Sequence, residues 1–189
     1  MSLRNSEHRW NWPSQVLHWS IAALILGLAA LGFLLGELPR SPKYFWVYDL
    51  HKSLGLTVLA LMVLRLIWRL YAGAPKPVPG TPTWQHAVAS VTHWAIYIMA
   101  FAMPISGWLY DSASGLRALK FFKLFTVPKL SAPNPDLKNL AFDIHSWGIW
   151  ILLALVLAHA GAALWHHFIQ KDRTLMRMLP ASLEKDTTT

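Results

Sequence analysis

Four apolar runs, each long enough to cross a lipid bilayer, constrain this chain more than any other feature of its sequence. They cover roughly residues 17–35, 50–71, 87–109 and 140–168, and a membrane-spanning helix needs about 20 mostly apolar residues. Only 14% of the residues are charged, whereas a soluble domain has about 25%. Lipid, rather than water, is therefore the main solvent of this chain.

The runs predict helices rather than strands. Backbone groups in lipid are satisfied only by helices or closed barrels, and the sequence lacks the alternating ten-residue segments of a membrane barrel. Short connections favour an all-α, up-down-up-down bundle of four transmembrane helices, and the first run is too long for the apolar core of a signal peptide. We expect one integral membrane domain over residues 1–189, with helices at about 14–36, 44–71, 84–110 and 135–170.

The chemistry open to this bundle is narrowed by the absence of cysteine. A chain without cysteine cannot form disulfides, cannot ligate iron–sulfur clusters, and cannot hold haem through a thiolate or a covalent thioether. Nine histidines are available instead. Any redox metal must therefore be bound through nitrogen or oxygen.

Two histidines on the fourth run are spaced for a single helix face. Residues His145 and His159 are fourteen positions apart, which on an α-helix is a rise of about 21 Å and four turns less about 40°. Antiparallel packing puts His18, near the start of the first helix, at the depth of His159. It likewise puts His51, near the start of the second helix, at the depth of His145.

These two pairs indicate haem rather than zinc. Two imidazoles opposed across a bundle core can fill both axial positions of a haem iron. Zinc normally requires about four ligands converging on one point, whereas the two pairs lie at different depths. The predicted iron ligands are His18, His51, His145 and His159.

Several motifs resemble the prokaryotic cytochrome b561 family over essentially the whole chain. They are LHWSIA at 17–22, LHKSLGL at 50–56, DIHSWG at 143–148 and LAHAGAALWHHFIQKDRTLMRMLP at 157–180. The resemblance implies a cytochrome of the bacterial inner membrane with both termini cytoplasmic and two b-type haems. The inner haem would be held by His18 and His159, and the outer haem by His51 and His145.

The resemblance also implies an activity. Members exchange electrons with the quinone pool, and some oxidise superoxide. Iron with two histidine ligands has no open position, so outer-sphere electron transfer is expected. We expect a superoxide:ubiquinone oxidoreductase that oxidises superoxide to dioxygen at the periplasmic face and reduces ubiquinone through the two haems, with lipid but no nucleic acid as partner. The alternative is a quinol-linked electron-transfer or anchor subunit that serves a separate redox protein.

Basic residues in the outer segments suggest how an anionic substrate would be attracted. Positive potential around a cleft steers small anions, and Lys52, Lys120 and Lys123 are the predicted steering residues. The same lysines could instead contact lipid headgroups, and residues 115–125 could form a short amphipathic interfacial helix. The outer basic residues are Arg40, Lys43, Lys52, Arg117, Lys120, Lys123, Lys129 and Lys138.

The inner side carries the candidates for quinone chemistry. Because imidazole can hydrogen-bond a quinone carbonyl and then pass a proton, His93 and His166 are the predicted quinone residues. An interhelical hydrogen bond is an equally weighted role for His93. Residues Arg65 and Arg69 could bind the propionates of the inner haem, or could anchor the helix at the membrane surface.

Overall fold

The computed structural model describes residues 5–39 and 41–180, and most of this chain is helical. All four long helices are long and apolar enough to span a membrane. The prediction of a four-helix transmembrane bundle is therefore confirmed. The helix boundaries lie within three residues of those expected when the π-helical turn after the fourth helix is counted with it. The helices are α1 (Trp12–Glu37), α2 (Phe45–Ala72), α3 (Thr83–Ala113) and α4 (Pro135–Trp165), and α4 continues as a π-helical turn (His166–Gln170).

Local signals explain several helix ends. The side chain of Asn134 caps α4 by accepting a hydrogen bond from the backbone N–H of Leu137 at 3.0 Å. Pro135 follows at the first helical position, where its missing N–H leaves no intrahelical hydrogen bond unmade. Helix α2 ends at Ala72, and the next residue, Gly73, has a φ of 74°, in the left-handed region that favours glycine.

The helices pack mainly with their neighbours in sequence. Close backbone contacts join α1 to α2, α2 to α3 and, most extensively, α3 to α4. Within the described residues, α4 has few such contacts with α1 or α2. Side chains, rather than close backbone approach, therefore bridge α4 to the first two helices.

An apolar layer fills the middle of the bundle. Leu152 of α4 is only 3% exposed and lies seven residues from both His145 and His159, so all three share one helix face. The other buried members come from the remaining helices: Ile21, Ile25, Val58, Met62, Tyr97, Ala100 and Met103. This layer separates the two histidine levels.

The connection between α3 and α4 contains a β-hairpin. Strand β1 (Lys120–Phe121) pairs antiparallel with β2 (Phe125–Thr126). Within the turn, Phe122 and Lys123 have φ values of 43° and 64°, a left-handed conformation that a right-handed helix excludes. The suggestion that residues 115–125 form an interfacial helix is therefore wrong.

A buried serine explains why the hairpin forms. Ser53 is 1% exposed. Its hydroxyl accepts a hydrogen bond from the backbone N–H of Phe122 at 3.0 Å and donates to the carbonyl oxygen of Lys120 at 3.4 Å. These bonds hold the turn against α2. We call the side of the bundle that carries this hairpin the hairpin face.

The opposite side carries both terminal segments, and we call it the terminal face. The guanidinium of Arg177 donates to the carbonyl oxygens of His8 at 2.6 Å, Glu7 at 3.0 Å and Lys76 at 2.7 Å. The Trp19 indole also donates to the carbonyl oxygen of Met178 at 2.9 Å. Hydrogen bonds thus hold the C-terminal segment against the N-terminal segment and the α2–α3 connection.

Packing between α3 and α4 predicts that Gly148→Val is destabilising. A Cβ at Gly148 would lie 2.7 Å from Met103 Sδ and 3.2 Å from Met99 Cε. Overpacking of this kind costs about 1–3 kcal/mol, so the thermal midpoint in detergent should fall. The control is Gly161→Val on the same helix, where an added Cβ meets nothing within 4 Å. Equal midpoints for both variants would contradict a packing effect at Gly148.

Candidate functional site

The terminal-face half of the bundle contains three histidines in contact. The rings of His18 on α1 and His159 on α4 face each other with centroids 6.1 Å apart. The ring of His93 on α3 packs edge-on against His159 at 5.1 Å. His18 and His159 therefore lie at the same depth, as antiparallel packing predicted, and His93 lies in contact with His159.

The hairpin-face half contains the second pair. The rings of His51 on α2 and His145 on α4 have centroids 6.2 Å apart. Glycines adjoin both rings, because a Cβ at Gly32 would lie 3.4 Å from His51 Cε1 and a Cβ at Gly107 would lie 3.1 Å from His145 Cε1. The missing side chains leave room directly beside the two imidazoles.

Hydrogen bonds orient His145 through one ring nitrogen. Its Nδ1 lies 2.9 Å from the carbonyl oxygen of Met103 and 3.2 Å from the Ser106 hydroxyl. Because a carbonyl can only accept, Nδ1 carries the proton and Nε2 keeps its lone pair. Metal-ligating histidines commonly show this arrangement. The Nδ1 atom of His51 is buried without a hydrogen-bond partner among the described residues.

The spacing of each pair fits a single metal held between two imidazoles. Metal–imidazole bonds are about 2.0–2.1 Å, which puts the centroids of two opposed rings about 6.3 Å apart. The observed centroid distances are 6.1 and 6.2 Å. Among the described residues, no group of three or more His, Asp or Glu side chains could hold a metal ion. The donor set therefore fits a flat macrocyclic iron complex better than a closed zinc site.

Two arginines lie beside the terminal-face histidines. The Arg65 guanidinium donates to the carbonyl oxygen of Ser14 at 3.2 Å. The Arg69 guanidinium lies 5.5 Å from the ring centroids of Trp94 and Tyr97. Neither arginine forms an ion pair with a carboxylate of the described chain. A carboxylate from a bound group would supply the missing counter-charge.

The predicted steering lysines fall into two groups. Lys52 is ion-paired with Asp111, whose side chain is only 6% exposed, and this pair joins α2 to α3. Its charge is therefore compensated. Lys120 and Lys123 are exposed on the hairpin and form no ion pair within the described part of the chain. Arg40, another predicted basic residue of this side, lies outside the described residues.

The terminal face also contains His166, the other predicted quinone residue. It lies in the π-helical turn after α4, and its Nδ1 is 2.5 Å from Asp172 Oδ2. His166 was predicted from the sequence, whereas Asp172 and the structural roles of Ser53 and Asp111 were not. A polar residue close to a predicted site residue was the only available signal for Asp172 and Ser53, and nothing local linked Asp111 to Lys52.

Four membrane helices with paired, facing histidines in their interior define the class of membrane bundles that bind haem between helices. A family model described as Prokaryotic cytochrome b561 matches residues 9–181. The chain belongs to the prokaryotic cytochrome b561 family. It is accordingly a multi-pass inner-membrane electron-transfer protein that binds haem b.

Three relatives of known family match most of this chain. Cytochrome b561 homolog 2 of Escherichia coli (strain K12) is 34% identical and covers 96% of this chain and 97% of its own length. Cytochrome b561 homolog 1 of the same strain is 38% identical and covers 92% of this chain and 98% of its own length. A protein of Yersinia pestis named Probable superoxide oxidase CybB is 31% identical and covers 87% of this chain and 92% of its own length.

The space beside His145 predicts that Gly107→Val lowers haem content. The added side chain would crowd the imidazole, where even a Cβ lies 3.1 Å from Cε1 and 3.3 Å from Nδ1. The haem-to-protein ratio of purified protein, measured by pyridine haemochrome absorbance, should fall. Gly36→Val is the matched control, because a Cβ there meets nothing within 4 Å. Full haem content in Gly107→Val would show that the imidazole has room to move.

Proposed function

We propose that this protein is a superoxide:ubiquinone oxidoreductase with two bis-histidine haems. The observation that carries the proposal is the presence of two facing histidine pairs at different depths, with a buried apolar layer between them. His18 and His159 would hold one haem, and His51 and His145 the other. Bound there, haem supplies one-electron transfer without an open coordination position.

The overall reaction balances with two superoxide anions for each quinone. Two superoxide anions lose one electron each and leave as dioxygen, and ubiquinone takes up the two electrons with two protons to give ubiquinol. One face of the protein must therefore attract a small anion. The other must admit a hydrophobic quinone and supply protons.

The hairpin face suits the anion. Lys120 and Lys123 project uncompensated positive charge from a hairpin that Ser53 holds against α2, two residues from His51. Positive potential of this kind raises association rates of anions by factors of about 10 to 1000. Lys52 contributes less, since Asp111 compensates its charge.

The terminal face suits the quinone. His93 and His166 offer imidazoles for hydrogen bonding to quinone oxygens. Arg65 and Arg69, which lack carboxylate partners among the described residues, would bind the propionates of the haem on this side. We place this face in the cytoplasm and the hairpin face in the periplasm, where superoxide would be met.

One observation favours a second function, electron transfer to a separate redox protein. The hairpin face exposes large apolar side chains, including Leu116 at 62%, Leu124 at 77% and Phe125 at 57%. An apolar patch beside lysines would suit protein docking. Rapid reduction of the purified protein by superoxide, in the absence of any partner, distinguishes the enzyme from such a subunit.

Ligand assignment predicts the haem content of histidine variants. The wild type should carry two haems per chain, and His145→Ala and His18→Ala should each carry one, because each removes an axial ligand from a different site. The double variant His51→Ala/His145→Ala should match the single variant. His86→Ala, near the start of α3, is the control that should retain both haems. Two haems in both His145→Ala and His18→Ala would refute the assignment.

The positive charge of the hairpin predicts a salt-sensitive reaction with superoxide. Neutralising the pair as Lys120→Gln/Lys123→Gln should slow haem reduction in stopped-flow mixing about 2- to 10-fold at low ionic strength, and the difference should vanish at high salt. Lys76→Gln, an exposed lysine on the terminal face, should react like the wild type. A wild-type rate that is independent of salt would exclude steering while leaving the haem assignment intact.

A further inference from the structure

The turn of the hairpin between α3 and α4 lies at membrane depth. The apolar middle layer marks the midplane of the bilayer, because Leu152 and Val58 of that layer lie within one residue of the midpoints of their membrane spans. Ser53 precedes Val58 by five residues, which is about 8 Å along α2. The hydrocarbon core extends about 15 Å on each side of its midplane. The hydroxyl that holds the hairpin turn therefore lies well inside the core.

A second hydrogen bond gives the level of the other end of the hairpin. The Trp108 indole of α3 donates to the carbonyl oxygen of Pro128, just after β2, at 2.9 Å. Trp108 follows Ala100 of the middle layer by eight residues, which is about 12 Å along the helix. Tryptophans are enriched at the boundary between acyl chains and headgroups. The hairpin therefore ends near this boundary, and its turn at Ser53 lies deeper.

The hydrogen bonds of the turn suit immersion in lipid. Backbone groups at membrane depth find no water and must be paired inside the protein. The backbone N–H of Leu124 donates to the carbonyl oxygen of Phe121 at 2.8 Å. Ser53 pairs both the N–H of Phe122 and the carbonyl oxygen of Lys120. These groups of the turn thus have protein partners and need no water.

The residues of the turn differ from those of a hairpin in water. Turns with two left-handed residues favour Asn-Gly or Asp-Gly, yet Phe122 and Lys123 occupy these positions with φ values of 43° and 64°. Residues with a large side chain adopt such a conformation only where the surrounding structure holds it. Phe122, Leu124 and Phe125 are 42%, 77% and 57% exposed. Exposure of these apolar side chains is unfavourable in water and favourable among acyl chains.

The charges of the hairpin suit lipid phosphates. Lys120 and Lys123 form no ion pair within the described part of the chain, whereas the neighbouring Lys52 and Arg117 are both paired with aspartates. A lysine can lay its apolar stem along an apolar surface while its ammonium group stays in the polar layer. Headgroup phosphates would supply the counter-charge that these two lysines lack.

We propose that residues 120–126 form a re-entrant hairpin whose exposed side chains lie in the phospholipid leaflet of the hairpin face. Acyl chains surround Leu124 and Phe125, and the ammonium groups of Lys120 and Lys123 extend outward to the headgroup phosphates. This inference goes beyond the proposed function, because it holds whether or not superoxide is the substrate. It assigns the exposed apolar patch to lipid rather than to a soluble redox protein.

The absence of cysteine from this chain makes the depth of the hairpin measurable. A nitroxide attached to Leu124→Cys would be the single label on the purified holoprotein in vesicles of phosphatidylethanolamine and phosphatidylglycerol. Dioxygen concentrates in lipid and a nickel chelate stays in water, so power-saturation EPR measures which of them collides with the label. Collisions with dioxygen should exceed those with the nickel chelate several-fold at Leu124→Cys.

Two control labels calibrate the measurement. Ile98→Cys, near the middle of α3 and 65% exposed, is the lipid control and should give the same ratio as Leu124→Cys. Asp136→Cys, exposed in the first turn of α4, is the water control. It lies sixteen residues from Leu152, about 24 Å along the helix and outside the core, so the nickel chelate should dominate there.

Two results would overturn the assignment to lipid. A label at Leu124→Cys that collides mainly with the nickel chelate would lie in water, and the patch would then be free for a protein partner. A label shielded from both reagents would be covered by the protein itself. If Leu124→Cys does not fold, Phe125→Cys takes its place, and the same ratios decide between lipid, water and protein.

Discussion

The facing imidazoles in the bundle interior are the interaction on which the rest of the structure depends. Polar groups are costly in the apolar layer of a membrane, so four histidines there require partners that the surrounding apolar side chains cannot provide. Helix α4 supplies one member of each pair, and Leu152 separates the two levels. The positions of α1 and α2 follow, because each must bring one histidine opposite α4 without close backbone contact.

The two faces of the bundle differ in their hydrogen bonds and in the side chains that they expose. On the hairpin face, the buried Ser53 hydroxyl fixes a turn that carries exposed lysines and large apolar side chains. On the terminal face, Arg177 bonds three carbonyl oxygens and draws the chain ends together. One face therefore displays charge to the solution, whereas the other covers its histidines and leaves a cleft beside Asp172. This asymmetry agrees with the proposed reaction, in which a small anion is oxidised at one face and a quinone is reduced at the other.

The arrangement of counter-charges explains why similar basic residues have different roles. Lys52 and Arg117 are both paired, with Asp111 and Asp49 respectively, and they join α2 to α3 and to the loop that follows α3. Arg65 and Arg69 instead rest on aromatic rings and a backbone carbonyl. A lysine or arginine in the sequence thus indicates positive charge, but its partners decide whether that charge holds helices together or remains available to a ligand.

The sequence by itself determined that the chain lies in lipid, that it forms four helices and at which depth each histidine pair lies. Helix length, hydropathy and the fourteen-residue spacing of His145 and His159 are local properties of a helix. Only the tertiary structure decided the hairpin, the compensation of Lys52 by Asp111, and the contact of His93 with His159. Each of these depends on a partner from a distant part of the chain: Ser53 reaches Phe122 across 69 residues, and Lys52 reaches Asp111 across 59. Contacts between such distant positions arise from packing of the helices, and no local pattern of residues encodes them.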